Sequence, residues 1–319
     1  MFLPDQFLCA RLGLFLRSKG SGVGFDGTEH RYYYKGRALT PVTNLCSRFF
    51  PKFDSIGVSE SLACKELGFA EPPTGPAHFD MLAHAKSIRA SWKEKSAVGS
   101  LFHLFAQYNL ACGGIGKDVA CGGIGKDVAC GGNELAKVDD SLYRLSPDYS
   151  PAAADGVLEY LPGLSAFFTD HRDDIVSRVV CTEQVVWSAE FSVAGQVDFI
   201  TYNDDGSVEL WDWKTSKSIA DEGLNFGKFG YGQLSHLPDT NFYHYCLQLS
   251  IYRRLLEDWG LVVRGLHLIH VLPSSVEQGV ACGGIENSVA DSVPPELYRI
   301  IDLPYLQDEA GVVLYSNQE

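Results

Sequence analysis

Between Val180 and Lys214 the chain alternates and turns in a way that few folds satisfy. Residues 180 to 188 and 191 to 201 are rich in Val and Phe, and Asn203-Asp204-Asp205-Gly206 separates them from a third run, Val208 to Lys214. Such runs bounded by an Asn/Asp/Gly cluster predict strands, and the last two form a hairpin around that cluster. Side chains alternate along a strand, so Asp212 and Lys214 face one side and Trp213 the other. With Asp204-Asp205-Gly206 as the loop, Asp198 lies opposite Asp212, to within one residue of register. Two carboxylates and an ammonium group on one patch of sheet are therefore expected, and the remaining elements must be arranged around them.

The flanking periodicities are helical. Residues 79 to 109 place Met81, Ile88, Trp92, Leu101, Phe105 and Tyr108 at helix spacing, with Gly99 as a possible break. From Asn241 to Trp259 a stripe of Leu247, Ile251 and Leu255 predicts a second helix, and Gly265 to Leu272 reads as a buried strand ended by Pro273. Helix, three-strand meander, helix, strand gives an α/β fold: a mixed sheet, an antiparallel meander plus a further strand, flanked by helices. With 319 residues, 45% of them hydrophobic, the chain can bury a substantial core.

One segment stands apart. The nine residues at 111–119 repeat at 120–128, begin again at 129–132 and reappear in part at 281–286. A glycine-rich unit of this kind buries too little apolar surface to offset its ordering entropy, so surface insertions are expected at 111–132 and 279–290. A phosphate-binding loop is excluded, because Ala111 stands where its first glycine belongs and Asp118 where its hydroxyl residue belongs.

Charge and cysteine content narrow the function. A net charge of −14 argues against unspecific coating of nucleic acid. Locally, however, residues 1 to 52 hold eight basic residues against three acidic ones, and Lys86, Arg89, Lys93 and Lys95 form a second basic run. Either cluster is a phosphate-contacting surface or simply a solvated face. Nine cysteines without a Cys-x-x-Cys pair fit a reducing, intracellular setting and no zinc site. No apolar run is long enough to cross a bilayer, so no membrane partner is expected. The basic, apolar start of the chain reads as a short helix, a disordered segment or an organelle-targeting peptide.

Asp198 and Asp212 crowded together are costly unless a cation lies between them, and hard oxygen ligands suit Mg2+ or Mn2+. Phosphodiester hydrolysis is the chemistry that such a group supports: the metal polarises phosphate and acidifies water, while Lys214 orients that water or steadies developing charge. Asp-x-Lys alone is common in exposed hairpins that make surface ion pairs. Gln248 and Tyr252, four residues apart, project from one helix face, and His244 shares that face one turn earlier, which makes it a candidate for substrate contact. His236, His267 and His270 read as surface or internally satisfied histidines.

Taken in order, Gly99-Ser100-Leu101-Phe102-His103, Gly195-Gln196-Val197-Asp198, Asp212-Trp213-Lys214 and Gln248-Leu249-Ser250-Ile251-Tyr252 resemble the RecB-like branch of the PD-(D/E)XK nuclease superfamily. The stretches 30–54, 92–103 and 231–253 are similar to nuclease-like proteins of large DNA viruses. The resemblance spans roughly residues 30 to 273 outside the repeats. It implies a restriction-endonuclease-like core, with a nuclease domain over 79–310 and residues 1–78 as a basic extension packed on it. It further implies that His103, Asp198, Asp212 and the Trp213 carbonyl bind Mg2+ or Mn2+ and that Lys214 is catalytic. Gln248 and Tyr252 would lie beside the active site along the DNA path. Some relatives carry an iron–sulfur cluster on late cysteines, but only Cys282 follows Tyr252, and no cluster is expected.

The expected function is thus metal-dependent hydrolysis of DNA, on single strands or from free ends, in replication, repair or recombination. The alternative is a nucleic-acid-binding or scaffold protein that keeps the fold without catalysis. Three departures bear on that choice: Val197 replaces the superfamily's proline, Gln107 replaces a glutamate that relatives often place one turn after His103, and the repeat insertion begins at Ala111, at the end of the helix that presents His103. Glu183 and Glu190, on the preceding strands, are candidate substitutes, although solvent-facing glutamates are the ordinary reading of both. Deleting 111–128 sets Ala129-Cys130-Gly131-Gly132 directly after Leu110 and so restores the same local sequence. We expect little change in Tm, because insertion length enters stability mainly through slowly growing loop-closure entropy; differential scanning calorimetry of the deletion variant checks this.

Overall fold

The computed structural model describes residues 4–26, 31–113, 144, 146–219, 227–274 and 296–318. Its centre is strand β5 (Val193–Tyr202), which is paired on both edges. One edge carries β4 (Val179–Ser188), antiparallel along nearly its whole length. The other is shared by two strands. β6 (Val208–Lys214) pairs antiparallel with Phe199 to Tyr202, and β3 (Arg37–Pro41) pairs parallel with Val193 and Ala194. Between them, from Gly195 to Asp198, that edge of β5 has no strand partner. The hairpin register Phe199↔Trp211, Tyr202↔Val208 extends to Asp198 opposite Asp212, and the strands part at that point.

The loop joining β5 to β6 explains the register. Gly206 adopts φ +81, Asn203 donates its N–H to the Ser207 carbonyl, and the Asp205 side chain accepts from Ser207 N–H. An αL glycine and an Asx-type hydrogen bond are what this Asn-Asp-Asp-Gly run supplies. β6 and β7 (Val263–Val271) are parallel and therefore need a crossover, which helix α7 (Asn241–Asp258) provides. β8 (Tyr298–Asp302) closes one side of the sheet, antiparallel to β7, while β1 (Gly24–Asp26) and β2 (Arg31–Tyr34) extend the other beyond β3. The result is an eight-stranded mixed sheet flanked by helices, an α/β fold as expected.

Two apolar layers cover the faces. On one, Leu247, Ile251 and Leu255 of α7 join Val193, Val197, Ile200, Val208 and Leu268 of the sheet, with Leu16 of α1 (Pro4–Gly20) and Val42 and Leu45 of α2 (Val42–Ser47). On the other, Phe102 and Phe105 of α4 (Pro76–Gly113), helix α5 (Pro151–Val157) and Phe167 of α6 (Leu161–Asp170) cover Phe199, Trp211, Trp213 and Ile269. Helix α3 (Ser55–Glu66) forms a smaller core with the first half of α4 through Ala63, Cys64, Met81 and Ala85. Helix α8 (Gln307–Tyr315) packs against α7.

Three features differ from the periodicity alone. α4 runs unbroken through Gly99, where a Cβ would meet Thr215 Oγ1 at 3.4 Å, so the residue marks a close approach to the end of β6. The first three residues of the repeat, Ala111 to Gly113, continue α4, and the other repeat residues lie outside the described ones. Residues 24 to 41, expected in an extension packed on the main domain, instead contribute strands to its sheet.

Strict alternation also fails within β5. Val193 and Val197 share an apolar layer with Ile200 and Tyr202, whereas Phe199 faces the opposite layer, so the side-chain phase slips beside Asp198. Gly195 leaves room for Tyr252 at the same place: a Cβ there would overlap the tyrosine ring. Gly195→Ala should therefore cost about 1–3 kcal/mol through overpacking. Chemical denaturation should show a smaller cost in a Tyr252→Ala background, since removing the ring removes the clash.

Candidate active site

The site is built where β5 and β6 part. Asp198 ends the paired stretch, and its Oδ2 accepts the N–H of Trp213 at 2.7 Å, capping a β6 donor that has lost its strand partner. The same oxygen lies 3.2 Å from Nδ1 of His103, delivered by α4. Trp213 fixes this end of β6 from behind, 1% exposed and packed edge-on against Phe102 and Phe167. Because Trp213 is buried on the α4 side, Asp212 and Lys214 point to the other face, where they form an ion pair with each other.

Helix α7 covers that face. The Lys214 ammonium sits 4.7 Å from the centroid of the Tyr245 ring, a cation–π distance. Gln248 Nε2 donates to Tyr252 OH at 3.1 Å, and Tyr252 is buried against Gly195. Tyr245, Gln248 and Tyr252 are spaced i, i+3, i+7, one face of the helix. Sequence reading chose His244 for this face instead, on its four-residue spacing. His244 turns aside, with Nε2 2.8 Å from Asp239 and its ring 4.1 Å from Phe50. The signal for Tyr245 was present as the complementary three-residue spacing.

The electrostatics are strained. Burial opposes the His103 imidazolium, yet Asp198 outweighs it and raises the pKa to about 9. Burial also opposes the Asp198 charge, but His103, Lys214 and the Trp213 N–H hold that pKa low. For Asp212, burial prevails over Lys214, and Asp198 adds repulsion; its pKa rises to about 6. Glu183 is pushed up to about 8 by burial and by Asp198. Asp212 Oδ2 is buried and meets Lys214 without hydrogen-bond geometry.

This donor set fits a hard divalent cation in kind: crowded, buried carboxylates and an imidazole. Among the described residues, however, no three His, Cys, Asp or Glu side chains stand arranged as a metal group; His103 is paired with Asp198 and Lys214 with Asp212.

The remaining candidates fall away from this point. His236 pairs with Glu309, His267 with Asp302, and His270 Nε2 donates to the Ser216 carbonyl at 2.6 Å. Glu190 is exposed in the turn before β5, whereas Glu183 belongs with the charged group; sequence alone did not separate them. Gln107 is half-buried on α4. Among the described residues no helix is long and apolar enough to cross a membrane.

No family model matches the chain, and no curated protein does. Among solved structures, the crystal structure of SSO0001 is similar over 56% of this chain and 66% of that one, at 19% identity and a TM-score of 0.27. A likeness that loose carries no argument about activity.

The charge crowding has a measurable consequence without metal. A carboxyl whose pKa rises on folding, such as Asp212 from 3.8 to about 6, binds its proton more tightly in the native state, so stability falls as pH rises through that interval. His103, raised to about 9, contributes stability below its unfolded value of 6.5 that is lost as pH rises towards 9. In EDTA, Tm should therefore decline from pH 5 to pH 9, and Asp212→Asn should flatten the lower part of that decline. Thermal melts across this range test it.

Proposed function

We propose that this chain is a Mg2+- or Mn2+-dependent nuclease that hydrolyses DNA phosphodiester bonds, acting on single strands or from free ends. What carries the reading is the gathering of Asp198, Asp212, Lys214 and His103 where two strands part, against a helix bearing Gln248 and Tyr252. The ordered motifs that resemble the RecB-like PD-(D/E)XK branch support it.

In this reading Asp198, Asp212, His103 and the Trp213 carbonyl hold the cation. When bound, it polarises the phosphate and lowers the pKa of water. The protein's own groups do the rest. Lys214, held charged by Asp212 and Asp198 against burial, orients water or steadies charge on the phosphate oxygens. Trp213 N–H fixes the Asp198 carboxylate, so that His103 and Asp198 form one positioned unit. Gln248 and Tyr252 contact the strand beside the scissile bond, and the basic stretches at 31–52 and 86–95 contact phosphates further along.

A second reading has its own observation: His103 with Asp198 and Lys214 with Asp212 satisfy one another without a cation. A nucleic-acid-binding or scaffold protein that lacks catalysis fits that self-pairing.

One assay separates the two. Labelled single-stranded, linear duplex and closed circular DNA are incubated with Mg2+, Mn2+, Ca2+ or EDTA. The nuclease reading expects cleavage with Mg2+ or Mn2+ only, linear and single-stranded DNA degraded before closed circles, and loss of at least 100-fold in Asp212→Asn and Lys214→Ala with the fold retained. Activity in excess EDTA, or undiminished activity in either variant, refutes the assignment. Rapid internal cutting of closed circles keeps the chemistry but refutes the preference for ends.

A further inference from the structure

We infer that the Phe53 ring, backed by Trp92, is a stacking step for one base of a single nucleic-acid strand at the mouth of the site, an inference that rests on the nucleic-acid reading above. Trp92, Gly99 and His103 are spaced i, i+7, i+11 on α4, so they share one stripe of that helix. His103 reaches Asp198, Gly99 approaches Thr215 just beyond β6, and Trp92 stands about 16 Å along the axis from His103, further out on the same line.

The segment from Phe50 to Phe53 crosses that line. Phe50 belongs to the α7 layer, its ring 4.1 Å from that of His244, whereas the Phe53 ring lies 5.6 Å from that of Trp92 on α4. Pro51 and Lys52 therefore pass from the helix on one face of the sheet to the helix on the other. They do so at the end where the chain leaves β6, since the first residue of α7, Asn241, donates its side-chain amide to the Ser218 carbonyl.

An apolar residue before a helix cap ordinarily packs on the first turns of its helix. Phe53 stands before Asp54, the cap of α3, yet it is 67% exposed and sets its ring against Trp92. Trp92 is half-buried and inclined at 57°, so it holds the phenyl ring from one side and leaves the other side to solvent. A ring held this way loses little freedom when a base stacks on it. Lys93 and Lys95 flank Trp92, and with Lys52 they are exposed and form no ion pair among the described residues. Of the acids beside them, Asp54 is engaged in accepting the Gly57 N–H, which leaves Glu94. In a chain of net charge −14, ammonium groups around an open aromatic ring match a strand that presents phosphates and bases together. An intact duplex keeps its base faces stacked on one another and offers none to Phe53.

The test is fluorescence anisotropy of labelled oligothymidylate with the full chain in EDTA, beside a strand of equal length built from stable abasic sugars. Phe53→Leu, which keeps an apolar side chain but removes the ring, should weaken oligothymidylate binding about tenfold and leave the abasic strand unchanged. Phe53→Tyr, which keeps the ring, should bind both strands as the parent does. Lys52→Gln should weaken both alike, because it acts on phosphate. If Phe53→Leu binds oligothymidylate as tightly as the parent, or loses both strands equally, the proposal is overturned: the first result removes the ring from the strand's path, and the second assigns it to packing. If the parent binds neither strand, the nucleic-acid reading fails and this inference with it. The expected binding pattern without cleavage in Mg2+ or Mn2+ supports the stacking step and refutes the nuclease reading alone.

Discussion

The hydrogen bond from Trp213 N–H to Asp198 Oδ2 is the contact on which the functional end of this fold depends. Where β6 leaves β5, a backbone donor loses its ladder partner, and leaving it unpaired in a buried place costs about 1–3 kcal/mol. A carboxylate is a strong acceptor for such a donor, but a buried carboxylate needs its own compensation. His103 and Lys214 supply it. One polar atom thus ties together two strands and the long helix α4. The separation of the strands and the clustering of charge are two aspects of a single arrangement.

Aromatic packing holds that arrangement open. Trp213 is wedged among Phe102, Phe167 and Phe199 on the α4 side, which commits Asp212 and Lys214 to the α7 side. Side chains of this size bury roughly 150–250 Å2 each, so the apolar layer can bear several kcal/mol of electrostatic cost. Gly195 and Tyr252 complete the arrangement: the glycine lets α7 bring a tyrosine against the unpaired edge of β5, beside Asp212. Charge is concentrated at one point because apolar contacts on both faces fix it there.

Much of this was legible in the chain. The hairpin register followed from the Asn203-Asp204-Asp205-Gly206 turn, and the strands and helices around it from their periodicities, because each is a local property. The N-terminal strands were not legible: β3 joins β5 across some 150 residues, and nothing local in Arg37 to Pro41 signals a parallel partner so distant. Glu183 could not be told from Glu190, because what distinguishes it is a backbone angle inside a strand that ordinary alternation conceals. His244 was misplaced for a similar reason. Helix periodicity gives faces only to within a residue, and the sheet beneath α7 selects Tyr245 rather than its neighbour.

The self-paired charges bear on how such a site would work. With Lys214 on Asp212 and His103 on Asp198, the cluster is arranged to exist without a cation, yet it remains frustrated, since burial still raises the pKa values of Asp212 and Glu183. On the proposed reading, Asp198, Asp212, His103 and the Trp213 carbonyl would hold a cation there, which would supply positive charge against the repulsion between the buried carboxylates. Tyr245 gives the Lys214 ammonium an aromatic face to rest against, so its position does not depend on Asp212 alone. A site that served only to hold the fold together would gain from replacing these charges with apolar groups, which are often no less stable than a buried ion pair. On the proposed reading, the buried charge gathered where β5 and β6 part serves chemistry rather than folding.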